Sequence, residues 1–273
     1  MTDRRPSVEN TRQIETEMRT TASPESVWAS WADPKRLAEW FADDARGEVR
    51  PGGTYTWIFE SFGMEMPYQV VDVVEGKRLL LGPVPGAPPF ALEVTIEHGG
   101  GQTVVRLVNS GFDAGANWDE EYDGIASGWD MALGILRHYV ERYFGTPRSS
   151  FLVMKPARFQ YEHAVRFFTD PSRLEGWLGT TARPIGNVGE TVRIDMHGGG
   201  SLTGRVLVVT KRELAISWQE VNGVLELKAF PAGPAGRMLG LRGCGWGLSG
   251  DQARSIEHHL DTALERLVER ISA

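Results

Sequence analysis

Ala32–Phe41 reads ADPKRLAEWF, and Thr169–Leu178 reads TDPSRLEGWL. Both stretches contain Asp-Pro, then Arg-Leu, and then a tryptophan followed by a large apolar residue. Asp33 and Asp170 lie 137 positions apart, which is the length of an ordinary domain. The same pattern at this spacing indicates that the chain contains a duplicated domain.

The register of the repeat continues beyond this motif. Ala45-Arg46 matches Ala182-Arg183 at the same offset, and ALEVTI from Ala91 matches VLELKA from Val224 at a slightly shorter one. We therefore predict two domains, residues 1–147 and 148–273. Each is long enough to bury a core of its own.

The first copy predicts a strand, two short helices, a run of antiparallel strands and one long helix. Ser23-Pro24-Glu25 supplies an N-cap, a proline in the first turn and an acid near the positive end of the helix dipole. Between Glu48 and Gly111, segments typical of strands are separated by glycine-rich turns. The long helix follows from apolar residues spaced by three and four: Trp118, Tyr122, Ile125, Trp129, Leu133, Leu136, Val140 and Tyr143.

Several motifs give the chain a resemblance to a known superfamily. They are Val27-Trp28, Asp33-Pro34, Leu37, Trp40-Phe41, Arg50-Pro51-Gly52-Gly53 and Gly128-Trp129. In this order they resemble the SRPBCC, or START-like, superfamily, and within it the AHSA-type family, named for the C-terminal domain of the activator of heat-shock-protein-90 ATPase. The first copy is covered almost throughout. The second has Asn-Val-Gly-Glu in place of Arg-Pro-Gly-Gly and His259-Leu260 in place of Gly-Trp.

The resemblance implies an α+β fold of two helix-grip (START-like, Bet v 1-like) domains, each a curved antiparallel sheet wrapped on a long C-terminal helix. Many relatives bind apolar small molecules in the enclosed cavity. We therefore expect binding or sequestration of a hydrophobic or aromatic small molecule, without a cofactor. Two alternatives stay open: a cyclase- or hydrolase-like enzyme acting on a polyketide-like compound, and an interaction protein that activates a chaperone ATPase. The enzymatic alternative needs an acid or base in the pocket, and the sequence identifies none.

The first copy contains six of the nine tryptophans, which favours it as the ligand-binding domain. Aromatic rings and adaptable methionines suit a flat apolar ligand, and Arg106 could serve as a polar handle. The glycine of Gly128-Trp129 is expected to let the long helix approach its neighbour closely. The predicted ligand-binding residues are Trp40, Phe41, Trp57, Phe59, Met64, Met66, Tyr68, Arg106, Trp118, Tyr122, Ile125 and Trp129.

Charge and composition bear on partners and location. The first 148 residues carry 14 Lys and Arg against 23 Asp and Glu, and the remainder carries 15 against 13, so the net charges are −9 and +2. An acidic first half argues against nucleic-acid binding, whereas unlike halves could attract each other within a chain or across a homodimer. With no membrane-length apolar run, no apolar signal segment and a single cysteine, we expect a cytoplasmic protein with no membrane partner.

Three further motifs do not support a cofactor or a metal. Gly245–Gly250 fits G-x-G-x-x-G, but no second parallel strand can follow the last helix, so a nucleotide site is not expected. His258 and His259 are adjacent on a helix and point in different directions. Cys244 lacks a sequence signal for activation of its thiol. We predict neither a metal site nor a catalytic residue.

Overall fold

The computed structural model describes residues 11–113, 115, 119–232 and 236–272. They form two antiparallel sheets of seven strands, each accompanied by two short helices and one long helix. The α+β fold of two helix-grip domains predicted from the sequence is confirmed. No helix among these residues combines the length and the apolar composition needed to cross a bilayer.

The first sheet has the strand order β1-β7-β6-β5-β4-β3-β2. Its strands are β1 (Thr11–Thr20), β2 (Asp44–Gly47), β3 (Thr54–Phe59), β4 (Met64–Val74), β5 (Arg78–Pro83), β6 (Ala91–Gly99) and β7 (Gln102–Asp113). Its helices are α1 (Pro24–Ala32), α2 (Pro34–Ala38) and α3 (Asp119–Arg142). Trp118, predicted at the start of the long helix, lies outside the described residues.

The second sheet repeats this topology in the order β8-β14-β13-β12-β11-β10-β9. Its strands are β8 (Arg148–Ala157), β9 (Gly179–Thr180), β10 (Thr191–Met196), β11 (Ser201–Val209), β12 (Glu213–Trp218), β13 (Gly223–Pro231) and β14 (Arg237–Trp246). Its helices are α4 (Tyr161–Thr169), α5 (Pro171–Glu175) and α6 (Gly250–Ile271). The same strand order in both halves is what a duplicated domain produces.

The Asp-Pro pair of the repeated motif starts a short helix in each domain. The carboxylate of Asp33 accepts a hydrogen bond from the backbone N–H of Lys35 at 2.9 Å, and that of Asp170 accepts one from Ser172 at 2.9 Å. The proline follows at the first helical position, where its missing N–H is not needed. Each Asp-Pro pair therefore ends one helix and begins the next.

The tryptophan of the motif fixes the angle between these two short helices. Trp40 Nε1 donates to the carbonyl oxygen of Ser30 at 2.8 Å, and Trp177 Nε1 donates to that of Phe167 at 2.9 Å. Both indoles are buried, so the bond satisfies a donor that would otherwise be costly. The repeated motif therefore forms the same corner between two short helices in each domain.

The long helix α3 is buried between the two sheets. One side packs in the first sheet, and the other side contacts the outer face of the second sheet. Five residues of the second sheet therefore belong to the first domain's core: Val208, Ala215, Val224, Cys244 and Trp246. The core of the first half thus extends across α3 to the outer face of the second sheet. The layers are first sheet, α3, second sheet and α6.

A glycine marks the closest approach of α3 to the second sheet. A Cβ atom at Gly134 would lie 2.2 Å from Cγ2 of Val208. A Cβ at Gly128 would meet no atom within 4 Å. The close approach that we expected at Gly128 thus occurs at Gly134.

These two helical glycines give a matched pair of variants. Gly128→Ala is expected to raise the free energy of unfolding by about 0.5–1 kcal/mol, because alanine loses less backbone entropy in a helix. Gly134→Ala is expected to lower it by about 1–3 kcal/mol, because the added methyl group overpacks the contact with Val208. Chemical denaturation of both variants checks this, and equal stabilisation of the two would contradict the packing.

Ion pairs between the halves have the acid on the first half and the base on the second. Glu120 pairs with Arg237 at 3.1 Å, and Asp123 pairs with Lys211. The acidic start of α3 therefore does more than favour the helix dipole. It also contacts the basic edge of the second domain.

A second set of charges is buried beneath α3, and we call it the buried ion cluster: Glu213, Glu226 and Lys228. Lys228 Nζ lies 3.1 Å from Glu213 Oε1 and 3.4 Å from Glu226 Oε2. The hydroxyl of Ser127 on α3 donates to Glu213 at 2.7 Å. Burial opposes the charge on Lys228, but the two carboxylates outweigh it and raise the pKa of that ammonium group. The cluster joins strands β12 and β13 to the helix of the other domain.

Candidate ligand site in the first domain

Seven rings pack together between the first sheet and α3, and we call them the aromatic cluster. Six of them were predicted as ligand-binding residues and lie within ring-contact distance of one another. Trp31 joins them from α1, with its ring centroid 5.0 Å from that of Trp40. The cluster consists of Trp31, Trp40, Phe41, Trp57, Phe59, Tyr68 and Trp129.

Phe41 occupies the centre of the aromatic cluster. Its ring centroid lies 5.3 Å from that of Trp57, 5.4 Å from that of Phe59 and 5.6 Å from that of Trp129. It is partly exposed, whereas the other six members are buried. Because the rings contact one another, a ligand that enters must displace a ring, and Phe41 is the one that already reaches solvent.

The polar atoms of the cluster are of two kinds. Trp129 Nε1 donates to Asn109 Oδ1 at 2.9 Å, and burial raises the pKa of the Tyr68 hydroxyl to about 12, which keeps it protonated. The indole nitrogens of Trp31 and Trp57 are buried and have no hydrogen-bond partner among the described residues. Two N–H donors thus lack an acceptor in hydrogen-bond geometry, and the Trp57 N–H also interacts with the buried hydroxyl of Tyr55.

Some predicted ligand residues lie away from the aromatic cluster. Arg106 is on the outer face of the sheet, because its neighbours Val105 and Leu107 point inward. Its Nε pairs with Glu17 at 3.0 Å. Arg106 therefore cannot act as a polar handle inside the domain in this structure.

The remaining predicted residues lie at the edges of the site. Met64 is 43% exposed at the end of β4, whereas Met66 is half-buried and lies opposite Trp57 in the neighbouring strand. Tyr122 donates its hydroxyl to the carbonyl oxygen of Gln13 at 2.7 Å, and Ile125 packs half-buried against the same core. Trp118 is outside the described residues.

Two residues that the sequence does not identify as ligand candidates also belong to this site, Trp31 on α1 and Asn109 on β7. Asn109 is buried on β7 and also donates to the carbonyl oxygen of Ala91 at 2.9 Å. Asn109 follows Val105 and Leu107 at alternate positions of β7. The alternation of a strand therefore predicts that its side chain points inward, as theirs do.

Comparison with known proteins gives the family of the first domain. Residues 21–141 match the family model of Activator of Hsp90 ATPase homolog 1-like proteins. The first domain belongs to this family. The chain as a whole is a tandem duplication of the START-like helix-grip fold, with an AHSA-type domain in the first position.

Solved structures similar to this tandem AHSA-type protein include single-domain and two-domain proteins. DynU16, a protein of the dynemicin biosynthetic locus, is 20% identical over 95% of this chain and 98% of its own, with a TM-score of 0.42. The di-domain ARO/CYC protein BexL from the BE-7585A biosynthetic pathway is 12% identical over 96% and 99%, with a TM-score of 0.42. The Aha1 dimer from Colwellia psychrerythraea is 19% identical over 48% and 96%, with a TM-score of 0.43. These similarities carry no functional assignment. Comparison with curated proteins finds no match.

The second helix-grip domain has a cavity of about 290 Å³ between its sheet and α6. Trp218 and Leu260 line it, and Trp218 Nε1 donates to the carbonyl oxygen of Ser201 at 3.0 Å. This indole, unlike those of Trp31 and Trp57, has an acceptor. Within residues 11–113, 115, 119–232 and 236–272, no group of three or more His, Cys, Asp or Glu side chains is arranged to hold a metal ion.

Proposed function

We propose that the AHSA-type first domain binds or sequesters a flat, largely apolar small molecule that carries a hydrogen-bond acceptor. The aromatic cluster supplies the apolar surface, since rings of this kind stack on flat ligands with large burial of area. The proposal assigns no catalytic residue.

The unpartnered indole nitrogens of Trp31 and Trp57 carry this proposal. A buried donor without an acceptor costs free energy comparable to that of a lost hydrogen bond, and such groups are rare in folded proteins. A carbonyl or ether oxygen on a bound ligand would accept a hydrogen bond there and recover that cost. An apolar hydrocarbon would not.

The role of the indole nitrogen can be tested with Nile red, a flat aromatic fluorophore with a carbonyl acceptor. Trp57→Phe is expected to weaken Nile red binding by about 0.5–1.5 kcal/mol, because the variant retains a ring but loses the N–H donor. The measurement is a fluorescence titration of the folded variant against the unaltered protein.

Trp218→Phe is the matched control, because it makes the same replacement in the cavity of the second domain. Binding that is unchanged by Trp218→Phe and weakened by Trp57→Phe assigns the site to the first domain. The reverse result would move the site to the second domain and overturn the proposal.

Three expectations about the environment of the protein stay predictions. They are a cytoplasmic location, a homodimer, and the absence of a nucleic-acid partner. Size-exclusion chromatography with light scattering tests the dimer, since a molar mass corresponding to one 30.2 kDa chain would contradict it.

A further inference from the structure

Five consecutive backbone carbonyls of the first domain accept hydrogen bonds from side chains of the second. They belong to residues 38–42, which begin at the last residue of α2 and include Phe41; we call this stretch the closing segment. Arg148 on β8 donates to the carbonyl oxygens of Ala38 at 3.0 Å, Trp40 at 3.0 Å and Ala42 at 2.6 Å.

Two residues of β14 bind the carbonyls between these. Trp246 Nε1 donates to the carbonyl oxygen of Glu39 at 2.8 Å, and Arg242 Nη2 donates to that of Phe41 at 3.0 Å. The second domain thereby holds the backbone of the closing segment at every residue.

The cation of Arg148 suits this position physically. The closing segment begins at the C-terminus of α2. Carbonyl groups at the C-terminus of a helix lack intrahelical partners and carry partial negative charge. Arg148 forms no ion pair with any described carboxylate. Its guanidinium instead directs three of its nitrogens at three carbonyls, a fork that lysine cannot reproduce.

The side chains of the closing segment point into the first domain. Trp40 and Phe41 are members of the aromatic cluster, and Phe41 is its partly exposed ring. Beside the segment, a cleft of about 540 Å³ between the two domains is lined by Ala38, Asp43, Arg148 and Arg242 among others. The segment is therefore held by directional bonds at the edge of an open cleft.

We infer, on the basis of the ligand site proposed above, that the second domain positions the closing segment over that site, with Arg148 as the principal positioning residue. Its bonds to the carbonyls stabilise the closed arrangement, in which Phe41 fills the aromatic cluster. Ligand binds to the open arrangement. Weakening the bonds increases the open population, so it raises both the association rate and the apparent affinity of a ligand.

Arg148→Ala tests this positioning role in the full-length chain. We expect amide hydrogen exchange to become faster in residues 38–43, with exchange elsewhere much less affected. The denaturation midpoint is expected to fall only slightly, because the closed arrangement is itself part of the folded state. The association rate of Nile red is expected to rise about tenfold or more, because three hydrogen bonds of the closed arrangement are lost. The control is Arg193→Ala, which removes an exposed arginine of β10 paired with Asp195. It is expected to change neither the exchange of residues 38–43 nor the association rate of Nile red.

Two further experiments distinguish a positioning role of Arg148 from a general contribution to stability. Millimolar guanidinium, far below denaturing concentrations, is expected to slow both the exchange and the association of Arg148→Ala by occupying the vacated site. Arg148→Lys, which keeps the charge without the fork, is expected to behave like Arg148→Ala. If Arg148→Ala does not fold, Arg242→Gln removes the bond to the Phe41 carbonyl, together with the contact of Arg242 Nε with Glu226 at 3.9 Å. It is expected to give a smaller change in the same direction in the exchange of residues 38–43.

Hydrogen exchange tests the positioning role of Arg148, and Nile red binding tests the ligand site, so the two proposals can fail separately. If residues 38–43 exchange in Arg148→Ala at the same rate as in Arg193→Ala, the inference is overturned. Faster exchange spread evenly over both domains, with a lower denaturation midpoint, would also overturn it, because Arg148 would then only support the fold. Absence of Nile red binding in every variant would refute the ligand site, while the exchange data would still decide whether Arg148 holds the closing segment.

Discussion

Residues 1–147 expressed alone are expected to form no stable monomer. Without the second domain, one side of α3 loses its cover of Val208, Ala215, Val224, Cys244 and Trp246, which are at most 8% exposed in the whole chain. Burial of an apolar side chain contributes about 1.5–3 kcal/mol, so losing several such contacts removes an amount comparable to the whole stability of a domain, about 5–15 kcal/mol. Circular dichroism and denaturant unfolding of the isolated half check the result.

The intact chain provides the comparison for this truncation. It is expected to unfold in one cooperative transition, because the two domains share a core. A chain cleaved at a protease site inserted at 145–147 is expected to keep both halves associated. A cooperative monomer of residues 1–147 with the midpoint of the intact protein would show that the contact with the second sheet contributes little.

Lys228→Met is expected to lower the free energy of unfolding by about 3–5 kcal/mol, because it leaves buried Glu213 without a cation. Glu226 keeps only Arg242, whose Nε lies 3.9 Å from its Oε1. The side chains of Glu213 and Glu226 are only 4% and 5% exposed, and that of Lys228 is 19% exposed. Chemical denaturation at neutral pH measures the loss.

The control is Lys211→Met, which removes the lysine of an exposed ion pair between the same two domains. The side chains of Lys211 and Asp123 are 56% and 40% exposed, and exposed pairs contribute about 0–1 kcal/mol. Equal losses for the two variants would mean that burial of the ion cluster does not determine its contribution.

Local structure was largely predictable from the sequence. The hydroxyl oxygen of Ser23 caps α1 by accepting from the Ser26 N–H at 3.2 Å, as the Ser-Pro-Glu pattern predicts. The long helix follows from its apolar spacing. The shortest strands, β2 and β9, were missed, because segments of four and two residues carry too little alternation to be recognised.

The packing of the two domains was harder to predict, although signals for it exist. Ten residues of α3 are buried, against six of α6, because α3 has apolar residues on more than one face. A helix that is apolar on several faces is covered on several sides. The bonds of Arg148 to the closing segment left no such signal, since backbone carbonyls accept hydrogen bonds whatever the residue type.

The two faces at the ends of the layered structure are polar. The outer side of α6 presents Arg254, His258, Glu265 and Glu269, all exposed. The outer face of the first sheet presents ion pairs such as Arg106 with Glu17. In repeat proteins, polar terminal surfaces act as caps that stop further stacking. Both ends of the two described units therefore carry polar surfaces, and another helix-grip unit could stack on α6 only if its outer side acquired an apolar surface like that of α3.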